Sequence, residues 1–328
     1  MATLLNYFSS LPGAVAQGMI WGIMAIGVYI TYKVLDFADL TVDGSICTGA
    51  AVCAAMMTMG YSLPVAMICA FIAGLLAGLL TGVFHTFMGI PAILSGILTQ
   101  LILWSVNLKI MGAALDKASA ANLPLSSRNF KTIVTMLDMD RSLIILEVIC
   151  IVIIGLLYWF FGTEYGSALR ATGANPNMSR AQGINTDATK IFGLVLSNGI
   201  VALAGALLAQ YQGNSDINMG KGAIVIGLAA VIIGEALFGW IARNNFALKL
   251  ITVVLGGIVY FIVYSTVIYM GLDSNYLKLL SAVVVAIFLA VPYWKKKYFS
   301  GAKYAEKRAE RASRKMKDHA KEGGSENA

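Results

Sequence analysis

Residues 63–85, L-P-V-A-M-I-C-A-F-I-A-G-L-L-A-G-L-L-T-G-V-F-H, contain no Asp, Glu, Lys or Arg. A helix needs about 20 apolar residues to cross the hydrocarbon core of a bilayer, where lipid offers no partner for unpaired backbone groups. This stretch meets that requirement, so it predicts a transmembrane helix and decides the fold class.

The same length criterion, applied to the rest of the chain, predicts about nine spanning segments, with a range of eight to ten. They are residues 12–32, 45–59, 63–85, 90–111, 142–161, 190–211, 222–240, 248–270 and 277–294. The second is short for a full crossing, and Gly234, Glu235 and Gly239 interrupt the seventh. The expected fold is an all-α polytopic membrane protein.

Composition supports this class and divides the chain in two. Of its 328 residues, 58% are hydrophobic and only 12% are charged, which excludes an ordinary soluble globule. The net charge of +7 comes mostly from the end of the chain, because residues 295–328 carry eleven Lys or Arg against five Asp or Glu. We therefore expect a membrane domain over 1–294 and a basic tail over 295–328 that binds membrane lipid and no nucleic acid.

The distribution of basic residues predicts the orientation, since short loops rich in Lys and Arg stay cytoplasmic. The tail, which starts with Lys295, Lys296 and Lys297, places the C-terminus inside. Counting back through the spans puts residues 162–189 inside as well, and residues 112–141 outside.

Small residues recur at helical spacing in two of the predicted spans. Gly18 and Gly22 are four residues apart, as are Gly74, Gly78 and Gly82. Such spacing lets two helix backbones approach closely. It predicts packing interfaces in a compact bundle.

Residues 163–187 read T-E-Y-G-S-A-L-R-A-T-G-A-N-P-N-M-S-R-A-Q-G-I-N-T-D and are polar, although two spans flank them. Helix-compatible stretches alternate with the breakers Gly173, Asn175, Pro176 and Gly183. A loop that only connects two helices is usually shorter than these 25 residues. We expect residues 163–187, called the knob, to form a short helical protrusion that binds another protein.

Three blocks of this sequence resemble the ABC importer permeases of the branched-chain amino acid and ribose type. The knob contains G-x-A-L-R-A-x-G-x-N-P followed by G-I-N-T, which resembles the cytoplasmic coupling loop of that family. D-F-A-D-L-T-V-D-G-S at 36–45 and A-A-V-I-I-G-E-A-L-F-G at 229–239 resemble two further family segments, in the family's order. The second of these departs from the family at Glu235, where a Gly is usual.

The resemblance implies a type II ABC importer-like permease bundle in the cytoplasmic membrane of a prokaryote. It implies two ATP-binding-cassette ATPase subunits that bind the coupling loop and an extracellular or periplasmic substrate-binding protein. It also implies a second permease subunit, either a second copy of this chain in a homodimer or a different chain in a heterodimer. The residues that it assigns to ATPase coupling are Gly166, Leu169, Arg170, Ala171, Gly173, Asn175, Pro176, Gly183 and Ile184.

The chain offers no phosphate-binding loop or enzyme site of its own. Its single Gly-Lys pair, Gly220 and Lys221, has Ser215 where a P-loop needs its first Gly and Gly222 where it needs a hydroxyl. The two His residues are isolated, and the four Cys lie in apolar runs without metal-ligand spacing. We expect no catalytic residue, no metal and no cofactor on this chain, with ATP and Mg held by the partner ATPase.

Polar residues within or beside the spans are candidates for the translocation path. They are Asp36, Asp39, Ser45, Gln100, Asn107, Asn198 and Glu235. Each could equally hydrogen-bond a neighbouring helix. For Asp36, Asp39 and Asp43 the alternatives are a cation site, solute contact, or capping of the next helix by Asp43 or Ser45. A break at Gly234 would alternatively leave Glu235 at a wet interface rather than inside the membrane.

The leading function is a permease subunit of an ATP-driven importer for a small solute, most simply an amino acid. Within the family, the sequence most resembles the permeases that work with binding proteins for aromatic or branched-chain amino acids. A sugar or a nucleoside is the alternative solute. An ion-coupled secondary transporter is the alternative mechanism, and a membrane scaffold that transports nothing is a third interpretation. A path poor in charge favours a neutral or zwitterionic solute over a polyanion.

Overall fold

The computed structural model describes residues 2–125, 132–241 and 245–269, together with isolated positions from 279 to 294. The predicted last span, 277–294, lies largely outside the described residues, and the basic tail, 295–328, lies wholly outside them. The fold described below belongs to the compact unit Met1–Ser281.

The described part of this unit is built from helices and one short ribbon. In chain order the helices are α1 (Ala2–Tyr29), continued by a π-helical turn (Ile30–Val34), then α2 (Val42–Thr58), α3 (Leu63–Thr86), α4 (Ala92–Ala113), α5 (Met139–Phe161), α6 (Glu164–Ala174), α7 (Pro176–Ala181), α8 (Thr186–Gln212), α9 (Ala223–Phe238) and α10 (Phe246–Tyr269). Strands β1 (Asn122–Pro124) and β2 (Asn214–Asp216) pair antiparallel.

Among the described residues, six helical segments are long and apolar enough to cross a bilayer: Ser10–Val34, α3, α4, α5, α8 and α10. Helices α2 and α9 are apolar but shorter, with 17 and 16 residues. The polytopic all-α class is therefore confirmed, whereas the predicted count of about nine spans is not.

The two short helices begin inside the bundle. Ser45, in the first turn of α2, contacts Asn198 at the middle of α8, and the N-terminus of α9 lies against Asp43. Non-helical segments lead into them, residues 35–41 before α2 and residues 213–222 before α9. Each of these stretches is thus an interrupted helix with its N-terminus in the interior.

Glycines on α1 and α3 form the close interfaces that their spacing predicts. Gly74 and Gly78 pack on the backbone of α8, and Gly18 and Gly22 pack on that of α10. A side chain at any of the four would meet the neighbouring helix, so the small residues set how closely these pairs approach. Helices α1 and α8 are in consequence the most buried spans.

The bundle has two distinct ends. At the α6–α7 end, Gly173 packs on Val34 of the π-helical turn, and Phe246 at the start of α10 contacts Phe161 at the end of α5. At the ribbon end, β1 pairs with β2, and the hydroxyl of Tyr211 donates to the carbonyl of Gly13. Residues 162–189 and the described part of 112–141 therefore lie at opposite ends, as the sequence predicts.

Candidate functional site

A hydrogen-bonded polar cluster lies at the centre of the bundle. Asp39 accepts from the backbone N–H of Thr41 at 2.9 Å and from the amide nitrogen of Asn198 at 2.7 Å. The hydroxyl of Ser45 donates to the amide oxygen of Asn198 at 2.6 Å. All four residues are buried. Three predicted path residues, Asp39, Ser45 and Asn198, thus meet and bind one another.

Threonines extend this cluster to α3 and α4. The hydroxyls of Thr41 and Thr81 lie 2.6 Å apart, and Thr81 donates to Thr99 at 2.9 Å. Sequence reasoning missed these residues because a lone Thr in an apolar helix usually bonds only its own backbone.

The cluster holds its carboxyl away from water. The Asp39 side chain is buried, and its oxygens accept the hydrogen bonds from Thr41 and Asn198. A buried carboxylate is tolerated when its oxygens are hydrogen-bonded. These bonds fix the segment 35–41 against α8, so the three path candidates stabilise the structure locally, and their contact with a solute stays a prediction.

Asp43 caps a helix other than its own. Its carboxylate accepts from the backbone N–H groups of Gly222 and Ile224, both at 2.9 Å, which are unpaired donors at the start of α9. The structure assigns no side-chain cap to α2, whose N-cap residue is Thr41. The expectation that Asp43 or Ser45 caps α2 is therefore wrong, because both side chains have partners elsewhere in the fold.

Beside this junction lies a small cavity of about 40 Å³. Its lining residues are Asp43, Gly44, Cys47, Gln100, Trp104, Asn107, Ile217 and Lys221. Asn107 is fully buried, and neither polar atom of its amide has a hydrogen-bond partner within the described part of the chain. Trp104 is about half exposed beside it. Two more path candidates, Gln100 and Asn107, therefore share a cavity that is suited to a polar group.

The remaining path candidates lie at the α6–α7 end. Glu235 forms an ion pair with Lys33 at 2.9 Å, and both side chains are about 40% exposed. Helix α9 continues unbroken through Gly234, which packs on the backbone of Thr252. The expected break is thus wrong, and Glu235 reaches the surface because it lies in the last turn of the helix.

Asp36 is separated from the other two carboxylates. It is exposed, with a positive φ of 53°, and lines a concavity with Arg170 and Lys249. Within the described residues no cluster of three His, Cys, Asp or Glu is placed to hold a metal ion. The cation-site alternative for Asp36, Asp39 and Asp43 has no geometric support.

The predicted coupling segment forms two short helices, α6 and α7, joined at Asn175. Asn175 ends α6 and caps α7 by accepting from the backbone N–H of Met178 at 3.1 Å. On the inner side, Leu169 is 1% exposed and Gly166 packs on the backbone of Phe161. Arg170 donates to the carbonyl of Phe161 at 2.9 Å. The segment is therefore anchored to the bundle.

The outer side of this segment is exposed. Two large apolar residues, Tyr165 and Met178, are 78% and 62% exposed. Among the predicted coupling residues, Ala171, Asn175, Pro176 and Gly183 are also exposed, and Ile184 is half-buried. The predicted coupling residues thus form two sets. The inner set anchors the segment to the bundle, and the outer set faces away from it.

Most of the chain matches one protein family. A model described as "Branched-chain amino acid transport system / permease component" matches residues 11–292. The match covers every described element from α2 to α10, so both the central cluster and the α6–α7 segment lie within it.

Two relatives match over most of their length. A protein of Clostridioides difficile named "Tyrosine transport system permease protein" is 39% identical over 286 residues, which is 86% of this chain and 91% of that protein. An uncharacterized protein of Rickettsia prowazekii is 36% identical over 278 residues, covering 84% of this chain and 95% of that protein.

One solved structure resembles the fold. It is described as PsaBC from Streptococcus pneumoniae in complex with Fab, and the likeness covers 90% of this chain and 99% of that chain. The TM-score is 0.51 and the sequence identity is 16%. At this identity the likeness concerns the fold alone.

Proposed function

We propose a transport function from the premise that this chain belongs to the family of branched-chain amino acid transport permeases. It is a permease component of an ABC-type transporter and a multi-pass membrane protein. The proposal concerns what drives it, which partners it binds and which solute it moves.

The exposed α6–α7 segment is the observation that carries the proposal. It is anchored through Leu169 and Arg170 while Tyr165 and Met178 face outward. A partner that pulls on the outer side would move the end of α5 and the start of α8, since α6 and α7 connect them. We assign this surface to contact with a separate ATPase subunit, which binds ATP and Mg and hydrolyses the ATP.

Partners and orientation follow from the same assignment. The α6–α7 end then faces the cytoplasm, the ribbon end faces an extracellular or periplasmic binding protein, and a second copy of the chain completes a homodimeric path in the prokaryotic cytoplasmic membrane. The C-terminal tail lies on the cytoplasmic side in this arrangement.

For the solute we propose an amino acid, and an aromatic one in particular. The relative from Clostridioides difficile is named for tyrosine transport. The cavity beside Asn107 and Gln100 places amide groups next to the half-exposed ring of Trp104. Its volume of about 40 Å³ is close to that of one water molecule, so in this proposal the cavity widens to admit the solute. Amides match a zwitterion, and an aromatic ring can stack on another.

Reconstitution tests this proposal. The permease, its ATPase and its binding protein in proteoliposomes should take up labelled tyrosine only with ATP present, and tyrosine should stimulate ATP hydrolysis. Leucine, ribose and adenosine serve as competitors. Efficient competition by ribose or adenosine would replace the amino acid with a sugar or nucleoside, and uptake driven by an ion gradient without ATP would refute the ATPase partner.

A further inference from the structure

Two adjoining concavities open at the α6–α7 end of the bundle. The larger, of about 570 Å³, is called the basic concavity and is lined by Tyr29, Tyr32, Lys33, Val34, Asp36, Arg170, Gly173, Ala174, Phe246 and Lys249. The smaller, of about 390 Å³, is called the aromatic concavity and is lined by Tyr158, Trp159, Phe161, Gly162, Thr163, Arg170 and Phe246. Arg170 and Phe246 belong to both, so the two form one continuous surface.

The basic concavity carries excess positive charge. Three cations, Lys33, Arg170 and Lys249, line it against one carboxylate, Asp36. Glu235 lies close by and pairs with Lys33. Lys249 is exposed, and no ion pair holds it among the described residues. Even with Glu235 counted, one positive charge remains for a ligand.

The aromatic concavity has a different character. Tyr158 and Trp159 are 53% and 71% exposed, although both lie in the last turn of a spanning helix. Amphipathic aromatic rings concentrate where membrane helices leave the hydrocarbon core. Their position at the end of the span predicts that this concavity lies at the depth where lipid acyl chains meet their headgroups.

We propose that the two concavities together bind one anionic phospholipid. The phosphate of the headgroup lies in the basic concavity against Lys249 and Arg170, and the upper part of an acyl chain lies along Trp159 in the aromatic concavity. Basic pockets between membrane helices are suited to anionic headgroups. The adjacency of a cationic and an apolar surface at a span end fits a lipid, whereas a free phosphate uses only the first.

Trp159 provides a direct reporter for this site. In a full-length variant whose other tryptophans, Trp21, Trp104, Trp240 and Trp294, are replaced by Phe, fluorescence reports only on Trp159. In nanodiscs of phosphatidylcholine, titration with acyl-brominated phosphatidylglycerol should quench this fluorescence at lower mole fractions than brominated phosphatidylcholine does. Equal quenching by the two lipids would overturn the proposal.

Two charge variants should shift the lipid preference in opposite directions. Lys249→Gln should weaken it about fivefold, which corresponds to about 1 kcal/mol for one basic residue near the surface. Glu235→Gln should strengthen it, because it frees Lys33 from its ion pair. Lys190→Gln is the matched control, since Lys190 lies at the same end, in α8, and lines neither concavity.

The control also separates a site from general attraction to a charged membrane. The basic tail is present in every variant, so its contribution cancels. A loss in Lys190→Gln equal to that in Lys249→Gln would overturn the proposal. In detergent without phospholipid, saturable binding of inorganic phosphate that Lys249→Gln abolishes would replace the lipid with a free phosphate. These measurements use no transport assay, so their outcome is independent of the proposed solute and ATPase.

Discussion

The carboxylate of Asp43 accepts a hydrogen bond of 2.9 Å from the backbone N–H of Ile224, a residue 181 positions later in the chain. This contact joins the first turns of α2 and α9, the two helices that begin inside the bundle. The first N–H groups of a helix have no partner within it, and in a membrane interior water does not supply one. One side chain therefore stabilises the interior end of α9 and fixes its position against α2.

Replacing Asp43 by Ala should destabilise the folded protein by about 1 kcal/mol, because it removes a cap and leaves two partly buried N–H groups without their acceptor. Thermal unfolding in detergent measures the loss. Asp140→Ala is the matched control, since Asp140 also lies in a first helical turn but is exposed. Equal stability of the two variants would contradict the capping role.

Much of the fold follows from the length of apolar runs. Helices α3, α4, α5, α8 and α10 all overlap segments that the sequence predicts as spans. The interior N-termini of α2 and α9 were harder to predict from the sequence. The groups that hydrogen-bond to such a helix end come from distant parts of the chain. Asp43 looks like a local cap for α2, yet its donors belong to α9.

The candidate site was only partly predictable, for a similar reason. The α6–α7 segment was identified because Asn175 and Pro176 are local signals, and local signals determine short helices. The path candidates instead separated into three places: Asp39 with Asn198 at the centre, Asn107 in a cavity, and Glu235 at the surface. The neighbours of a polar residue in a span depend on how the helices pack. The spacing of residues along the sequence does not determine that packing.

The proposed orientation can be tested by labelling introduced cysteines with a membrane-impermeant reagent. Ser119→Cys, at the ribbon end, should react in intact cells, and Asn177→Cys, in α7, should react only after permeabilisation. Both positions are exposed, whereas Ser179 in the same helix is 3% exposed and would report poorly. A background without the native cysteines removes competing labelling. Reaction of Asn177→Cys in intact cells would reverse the orientation.

Coupling should depend on the outer side of the α6–α7 segment. Met178→Glu places a charge on a side chain that is 62% exposed, so it should leave the bundle folded while it lowers solute-stimulated ATP hydrolysis at least about tenfold, or 1.4 kcal/mol. Met136→Glu, at a 51% exposed position outside this segment, is the control. Full solute stimulation of ATP hydrolysis in Met178→Glu would show that this surface does not form the coupling contact.

Replacement by Leu should change stability differently at two asparagines in the spans. Asn198 bonds Asp39, Ser45 and the carbonyl of Leu194, so Asn198→Leu leaves a buried carboxylate without its amide donor and should cost about 3 kcal/mol. Asn107 has no such partner among the described residues, and a buried amide without one is unfavourable. Asn107→Leu should therefore be neutral or slightly stabilising.

The functional expectation for Asn107 is the reverse of its effect on stability. If its amide contacts the solute, Asn107→Leu should lower tyrosine uptake per folded complex while thermal stability stays unchanged or rises slightly. Leu108→Asn supplies a control for a polarity change one position along the same helix. Unchanged uptake in Asn107→Leu would remove Asn107 from the path. A stability loss as large as that of Asn198→Leu would instead show that the Asn107 amide has a hydrogen-bond partner in the assembled transporter, for example on a second copy of this chain.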